Sequence, residues 1–457
     1  MDTTYMSSLL EAQRRFFSSG KTLDVEFRLR QLKALQGAWA RREKEIFEAL
    51  HQDLRKPAME AYTAEYAFIK LDIEHTIKNL KRWMKPSKVG TPPVLFPSTS
   101  SYQADPRGVV LVIGAWNYPF QLVFSPLIAA IAGGNCVVVK PSEVSEASAR
   151  LAADILRETF GPEYVAVVEG GVSETTALLE QKFDHIFFTG STTVGRIIYQ
   201  AAARQLTPVT LELGGKSPCI VDATARMEVA CRRIAFGKWM NAGQTCVAPD
   251  YVLVQRSVRD AFVQTMKKVL QEFYGSDPKQ SPDLARIINE RHHQRLVSML
   301  ADGEILLGGE HDAESRYIAP TLLTNVSADS RLISDEIFGP LLPVVEYETV
   351  EEAIQYIRQR PHPLALYVFS EEGAFQEKVL KETTSGGACV NECIVHLAVP
   401  ELPFGGVGES GIGAYHGRHG FDTFTHQKAV LRNPTFLDVK LKYPPYRNNL
   451  SIIRKMM

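Results

Sequence analysis

The spacing of hydrophobic and polar positions changes along the chain. Between residues 27 and 83, apolar residues recur at intervals of three and four, and this spacing predicts two long amphipathic helices. From 108 to about 213, short β-branched runs alternate with helical patterns, which predicts a doubly wound parallel α/β sheet. A second α/β series runs from about 219 to 395. The pattern therefore predicts an α/β protein built from two such units.

Three segments do not show this regular alternation of strand and helix patterns. Residues 84–106 are rich in proline and serine and predict an arm or hairpin outside the core. The segment 440–457 predicts a basic surface tail. Residues 108–139 carry no charge and are long enough to span a bilayer, but prolines, polar residues and a Gly-Gly-Asn turn divide them. We interpret them as strand, loop, helix and strand, and expect no integral membrane segment.

Composition narrows the functional classes. The chain has 457 residues, 51 basic and 52 acidic side chains and a net charge of −1, so it lacks the electrostatic footprint of a nucleic-acid binder. Six cysteines are too few for a disulfide scaffold, and no signal peptide precedes the first helical pattern. We expect a cytoplasmic protein with reduced thiols.

Candidate chemistry lies in loops that follow predicted strands, because doubly wound sheets bind ligands at the carboxyl ends of their strands. These loops are 114–119, 140–143, 189–195 and 212–216. Glycines at 190 and 195 suit a phosphate near a helix N-terminus, but a plain tight turn is an equal alternative. Lys140 and Glu143 could bind ribose hydroxyls or form a solvated pair, and Glu212 could be a base or a strand-end charge facing water.

Cys246 is the cysteine with the strongest chemical context. It follows a helix among small polar residues, where neighbouring N–H groups can stabilise a thiolate. The other cysteines are expected to be buried and structural: Cys136, Cys219, Cys231, Cys389 and Cys393.

Two further patterns are interpreted as structural. A strand period places His396 on the face opposite Cys389 and Cys393, so we predict no metal site there. The remaining candidate histidines are interpreted first as surface or loop residues, with a catalytic role as the alternative: His292, His293, His416, His419 and His426. The only G-x-G-x-x-G match, at 406–411, follows no strand and predicts a turn-rich loop.

Seven motifs in order carry a family resemblance, and over about 300 residues such agreement is not coincidental. The chain resembles the aldehyde dehydrogenase superfamily, and its C-terminal segments 415–417, 424–428 and 442–446 resemble the class 3 branch. The motifs are Trp116-Asn117-Tyr118-Pro119, Lys140-Pro141-Ser142-Glu143, Phe188-Thr189-Gly190-Ser191, Leu211-Glu212-Leu213-Gly214-Gly215-Lys216, Gly243-Gln244-Thr245-Cys246, Glu336-Ile337-Phe338-Gly339-Pro340 and Pro403-Phe404-Gly405-Gly406.

The resemblance implies an architecture. We expect an NAD(P)-binding domain from residues 1–83 and 107–211, a catalytic domain from 212–420, and a bridging arm and tail from 84–106 and 421–457. Class 3 members are usually dimers, so a homodimer is expected. Membrane-bound members carry a further apolar anchor, and its absence before Met457 implies a soluble enzyme.

The resemblance also implies residue roles. Cys246 would be the nucleophile, Glu212 the base that activates water, and Asn117, with the Cys246 backbone N–H, the donor to the oxyanion. The remaining residues would bind the cofactor: Lys140 and Glu143 at the adenine-side ribose, Gly190 and Ser191 near the pyrophosphate, Glu336 at the nicotinamide ribose, and Phe338 beside the ring, with Trp116 and Gly195 as further cofactor-binding residues. No metal is implied.

The expected reaction is oxidation of a medium- or long-chain aliphatic or aromatic aldehyde to its acid through a thiohemiacetal and a thioester. NAD is the expected cofactor because Glu143 repels the 2′-phosphate of NADP, although Lys140 could offset that repulsion. Two alternatives stay open: an enzyme that transfers the acyl group to coenzyme A, and a catalytically silent binding or structural homologue.

Overall fold

The computed structural model describes residues 3–327, 329–447 and 449–456. The α-helices of these ranges are Thr3–Ser18, Val25–Arg41, Glu43–Leu54, Ala58–Ala61, Ala67–Trp83, Gln121–Gly133, Glu146–Thr159, Val172–Leu179, Thr192–Ala203, Met227–Trp239, Arg259–Tyr274, Glu290–Met299, Arg331–Ser334, Val350–Arg358, Gly373–Glu382, Gly417–Thr423 and Asn449–Met456. A π-helical turn, Tyr62–Tyr66, joins two of them into one continuous helix.

The first sheet is doubly wound, as the alternating pattern predicted. Its strands are, in spatial order, Gly411–Ile412, Val209–Glu212, His185–Thr189, Val109–Ile113, Cys136–Lys140 and Val165–Val167. Neighbours are parallel except for the antiparallel Gly411–Ile412. The strand order reverses between Val109–Ile113 and His185–Thr189. Ligands of open α/β sheets bind at such a reversal, so the loops after these two strands define the expected binding edge.

A second sheet forms the other α/β unit. Its strands are, in spatial order, Glu304–Leu307, Thr321–Thr324, Leu341–Tyr347, Tyr251–Gln255, Pro218–Val221, Ala365–Phe369 and Gly387–Val390. All neighbours are parallel except the first pair, which is antiparallel. Most of its central residues are fully buried, which explains why these strands show as continuous apolar runs in the sequence.

The proline-rich segment forms an antiparallel arm with a strand near the C-terminus. Strand Thr99–Pro106 pairs with Ser87–Val89 on one side and with Thr425–Arg432 on the other. A separate short pair joins His311–Asp312 to Tyr317–Ile318.

The N-terminal helices differ from the prediction of two long helices. Helices Val25–Arg41 and Glu43–Leu54 are separate because Arg42 leaves the helical region, and Arg55 then ends the second one with a φ of +49°. Helix Thr3–Ser18 precedes them, and the end of the chain, predicted only as a basic surface tail, includes helix Asn449–Met456. Helix Asn449–Met456 was missed because it spans only 8 residues.

The uncharged stretch 108–139 divides as predicted into a buried strand, a loop, helix Gln121–Gly133 and a second buried strand. Among the described residues, no helix combines the length and the apolar character needed to cross a bilayer.

Candidate active site

The carboxyl ends of the first sheet meet the second α/β unit at a cavity. Its lining comes from loops that follow three strands of that sheet and from the second unit: Ala115, Trp116, Asn117, Leu122, Thr189, Gly190, Ser191, Glu212, Leu213, Gly214, Cys246, His292, Glu336, Phe338, Phe404 and Tyr415. Eight predicted site residues are therefore together in one cavity, as the shared sheet edge requires.

Cys246 is presented by a tight turn after helix Met227–Trp239. Asn241 and Ala242 both have a φ of +53°, and Gly243 has a φ of +76°. A side chain at Gly243 would collide with the Gly339 carbonyl, so only glycine lets the two segments approach this closely.

The Cys246 thiol is half-buried and protonated at neutral pH. Burial is the main cause that raises its pKa to about 12, and the carboxyl groups of Glu336 and Glu212 add to the shift. The backbone N–H groups of Cys246 and Val247 act in the opposite direction, as the sequence led us to expect, but they are outweighed. The thiol therefore needs a proton acceptor, or a nearby positive charge, to act as a nucleophile.

Glu212 ends strand Val209–Glu212 and turns into the protein. It is 3% exposed, and neither carboxylate oxygen has a hydrogen-bond partner. Burial alone raises its pKa well above the usual range for a glutamate. Glu212 is therefore not a strand-end charge facing water: it is an unpaired carboxyl held in the cavity, and such groups mark sites of proton transfer.

Asn117 lies on the loop after Val109–Ile113, and its side chain is buried. Nδ2 donates to the Gln244 carbonyl at 3.0 Å, and its backbone carbonyl accepts from Asn241 Nδ2 at 2.9 Å. A carboxamide has two N–H donors, so one remains for a ligand in the cavity. Beside it, the Tyr118 hydroxyl is 2.6 Å from Thr245 Oγ1.

Glu336 lines the cavity together with Thr189 and Ser191, and we call this cavity the polar cavity. Burial, followed by the charge of Asp250, raises the pKa of Glu336 to about 8. Trp116 packs edge-on against Phe338 with ring centroids 5.3 Å apart, and Phe338 has a φ of +49°. A side chain at Gly214 would collide with the Glu336 carboxylate.

Ser191 caps a helix whose N-terminus lies at the polar cavity. Its Oγ accepts from the Val194 N–H at 3.4 Å at the start of helix Thr192–Ala203. The buried Thr189 hydroxyl has no hydrogen-bond partner, and Gly190 leaves the backbone open between them. An exposed helix N-terminus with small neighbours is a site for a phosphate group.

Three predicted cofactor residues do not line the cavity. Lys140 ends the strand next to Val109–Ile113, is 2% exposed, and donates to Glu143 Oε2 at 2.7 Å. This pair lies at the same sheet edge, but its lysine is buried and not solvated. Gly195 packs against Leu213, where a side chain would collide, so its contact is between a helix and a strand end.

The five cysteines that were expected to be buried are buried, but three histidine interpretations need correction. His292 lies on helix Glu290–Met299 and packs on Trp116 with centroids 5.1 Å apart, and burial lowers its pKa to about 4. His293 is buried and contacts the Tyr317 carbonyl through Nε2 at 3.0 Å. His416 is buried and stacks on Phe404. These side chains were assigned to the surface because a polar residue type hid their apolar surroundings.

The predicted separation of His396 from Cys389 is wrong. The strand ends at Val390, so its period does not extend to 396, and Cys389 Sγ is 3.2 Å from His396 Nδ1. Among the described residues there is no group of three or more His, Cys, Asp or Glu side chains arranged to hold a metal ion. The loop 406–411 ends in Gly411, which pairs with Glu212 and closes the sheet edge.

A second, apolar cavity opens on the other side of Cys246. Its lining is largely hydrophobic: Thr63, Ala64, Phe68, Tyr118, Gln121, Leu122, Phe236, Met240, Thr245, Cys246, Val247, Ile394, Val395, Leu397, Ala398, Phe404, Tyr415 and His416. It continues into an outer chamber that shares five of these residues and adds Leu71, Asp72, Glu74, His75, Lys78, Pro400 and Gly417. We call this path the apolar channel.

These features define an α/β enzyme whose thiol lies between an apolar channel and a polar cavity of the kind that holds a nucleotide. The chain belongs to the aldehyde dehydrogenase family, whose family model matches residues 2–430. It is therefore an enzyme that oxidises aldehydes with a nicotinamide cofactor, and not a catalytically silent homologue.

Named relatives are similar over nearly the whole chain. The chain is 49% identical to 4,4'-diaponeurosporen-aldehyde dehydrogenase of Staphylococcus aureus, with 96% of both chains covered. It is 47% identical to the dog enzyme named aldehyde dehydrogenase, dimeric NADP-preferring, over 96% of this chain and 98% of that one. A structure of Staphylococcus aureus AldH in a substrate-bound state matches with a TM-score of 0.97 and 48% identity, over 98% of this chain and 99% of that one.

Proposed function

We propose that the enzyme oxidises medium- and long-chain aliphatic or aromatic aldehydes at Cys246, with water as the acyl acceptor. One observation carries the proposal: Cys246 lines both the polar cavity and the apolar channel. An aldehyde carbon bound at the sulfur would place its apolar tail in the channel and its hydrogen toward the polar cavity.

The first step forms a carbon–sulfur bond. As Sγ attacks the carbonyl carbon, the thiol proton passes to solvent water and the carbonyl oxygen becomes an alkoxide. The unused Nδ2 hydrogen of Asn117 and the Cys246 backbone N–H are the donors that support this charge. Such donors are effective because the surrounding contacts fix Asn117 before the substrate arrives.

The polar cavity fits a dinucleotide. The Ser191 cap offers helix N–H groups to a phosphate, the unpaired Thr189 hydroxyl is a free hydrogen-bonding group, and Glu336 can accept from a ribose hydroxyl. A bound nicotinamide supplies the oxidant, accepting the hydrogen of the aldehyde carbon with its electron pair. Trp116 and Phe338 would pack beside its ring, and Lys140 with Glu143 would contact the adenine-side ribose.

The second step breaks the resulting thioester. Glu212 takes a proton from water, the oxygen adds to the acyl carbon, and the sulfur leaves as the acid is released. The unpaired oxygens of Glu212 support this role, since no protein donor competes with water for them. A base of this kind is superfluous for transfer to coenzyme A, so we favour hydrolysis over the acylating alternative.

The apolar channel sets the substrate class. It supports long apolar substrates, as does the name of the Staphylococcus aureus relative, which refers to a 4,4'-diaponeurosporen aldehyde. Burying one methylene contributes about 0.8 kcal/mol, so kcat/KM should rise about fourfold per added carbon until the channel is full.

The test is a series of linear aldehydes from three to sixteen carbons with NAD and NADP, with the acid and acyl-coenzyme A products measured separately. Phe236 lines the channel, and Phe236→Ala should lower kcat/KM for dodecanal while leaving propanal unchanged. Cys246→Ala should abolish turnover and still bind NAD. A flat length series, or turnover without Cys246, would contradict the proposal.

We also propose that the enzyme prefers NAD, accepts NADP, and works as a cytoplasmic homodimer. The domain division expected from the resemblance assigns the arm and tail to the dimer interface. Exposed apolar side chains on and beside the arm support this, including Phe96, Leu431 and Phe436. Sedimentation analysis of the wild type and of Phe96→Ser tests the assembly, and an unchanged dimer in that variant would move the interface elsewhere.

A further inference from the structure

A fully buried ion pair lies behind the active-site loop. Lys56 Nζ is 2.8 Å from Glu65 Oε1, and both side chains are completely shielded from solvent. Neither residue lines the polar cavity or the apolar channel. Burying two charges is costly, and such a pair is retained only where further hydrogen bonds satisfy its remaining atoms. These bonds lead to Asn117 and to the helix that follows it.

Glu65 caps that helix. Its second oxygen accepts from the backbone N–H groups of Phe120 and Gln121, at 3.2 and 2.8 Å, at the start of helix Gln121–Gly133. Glu65 lies in the π-helical turn Tyr62–Tyr66, a local change of period that is often found at functional sites.

Lys56 holds the Asn117 backbone. Its Nζ donates to the Asn117 carbonyl at 3.1 Å and lies 4.2 Å from the centre of the Tyr118 ring. The Asn241 side chain donates to the same carbonyl and also to Gln244, the acceptor of the Asn117 side chain. The position of the Asn117 amide is therefore fixed from both its backbone and its side chain.

We propose that Lys56 and Glu65 are positioning residues, which hold the loop 116–120 so that the Asn117 amide meets the alkoxide formed at Cys246. The inference rests on the proposed role of Asn117. Lys56 and Glu65 line neither the polar cavity nor the apolar channel, so they act through the loop that they hold. A displacement of about 1 Å in a donor can lower a rate about a hundredfold.

The decisive variant is Lys56→Met with Glu65→Gln, which removes both charges together and leaves an amide oxygen to accept from the helix N–H groups. The rate of the first-turnover NADH burst reports alkoxide formation. Alkylation of Cys246 by iodoacetamide needs the thiolate but no oxyanion donor, so it reports the integrity of the loop around the sulfur. The Kd of NAD is measured alongside.

Arg28→Met is the matched control. Arg28 is also buried, and it donates to the Ala132 carbonyl at 2.8 Å, at the far end of the same helix. Its loss removes a buried cation that contacts helix Gln121–Gly133 and does not contact Asn117. It should lower Tm and leave the burst rate unchanged.

We expect the double variant to lower the burst rate about 10- to 100-fold, with the alkylation rate and the NAD Kd within twofold of wild type. An unchanged burst, or a parallel fall in alkylation, would overturn the inference. Glu65→Gln alone carries the same test if the double variant does not fold. Asn117→Ala is measured in parallel: if it leaves the burst intact, the oxyanion assignment fails, independently of Lys56.

Discussion

Glu336 offers a quantitative test of the active-site electrostatics. Its carboxyl group is enclosed in the polar cavity, and burial and the charge of Asp250 raise its pKa to about 8 against an ordinary value of 4.5. The Gly215 N–H, Lys216 and Arg295 favour the charged form, but they do not offset the loss of water. The empty enzyme therefore holds this group as a neutral acid at pH 7.

The perturbation is Glu336→Gln, which keeps the shape and removes the titration. Between pH 4.5 and 8 the folded wild type binds a proton that the unfolded chain has lost, so its stability falls as pH rises through this window and levels off above it. One pKa unit corresponds to about 1.36 kcal/mol, so the loss between about pH 5 and 8 is about 3 kcal/mol. The variant has no carboxyl group at this position, so its stability does not include this loss.

The assay is thermal unfolding of both proteins without cofactor at pH 5, 6, 7 and 8. For a chain of this length, the unfolding entropy is about 1 kcal/mol/K. The Tm of the variant minus the Tm of the wild type should therefore rise by about 3 °C between about pH 5 and 8. Glu377→Gln, an exposed change on helix Gly373–Glu382, controls for the loss of a charge. A Tm difference between variant and wild type that stays constant, or falls as the pH rises, would refute the reasoning.

Two other predictions concern the proposed chemistry. Glu212→Gln should retain a full NADH burst and slow the steady state about 10²–10⁴-fold, because acylation proceeds while thioester hydrolysis loses its base. Loss of the burst would mean that Glu212 acts on the thiol instead. Glu143→Gln should weaken NAD use modestly and raise kcat/KM for NADP by removing a negative charge beside the 2′ position. An unchanged kcat/KM for NADP would show that Glu143 does not face the 2′ position.

The sheet and its site were predictable because they depend on local pattern. Buried parallel strands such as Val109–Ile113 are apolar throughout, and their carboxyl ends share one edge by topology. The loops after them were enough to predict that Trp116, Asn117, Gly190 and Glu212 lie together.

What the sequence did not reveal depends on contacts distant along the chain. The burial of Glu212 and the position of His292 against Trp116 arise from segments far apart in the sequence. The Lys56–Glu65 pair was also missed, since lysine and glutamate are seldom fully buried and nothing in the local sequence marks these two as a pair. A π-helical turn shifts the helical period at Glu65, and no spacing rule anticipates it.

The protonation state of Glu336 bears on how the protonated Cys246 thiol can react. Glu336 raises the pKa of Cys246, yet burial raises its own pKa to about 8, so at neutral pH it adds little negative charge around the sulfur. The backbone N–H groups of Cys246 and Val247 favour the thiolate, although burial outweighs them. A cation bound in the polar cavity would act in the same direction. We therefore expect Cys246 alkylation to accelerate when NAD is bound.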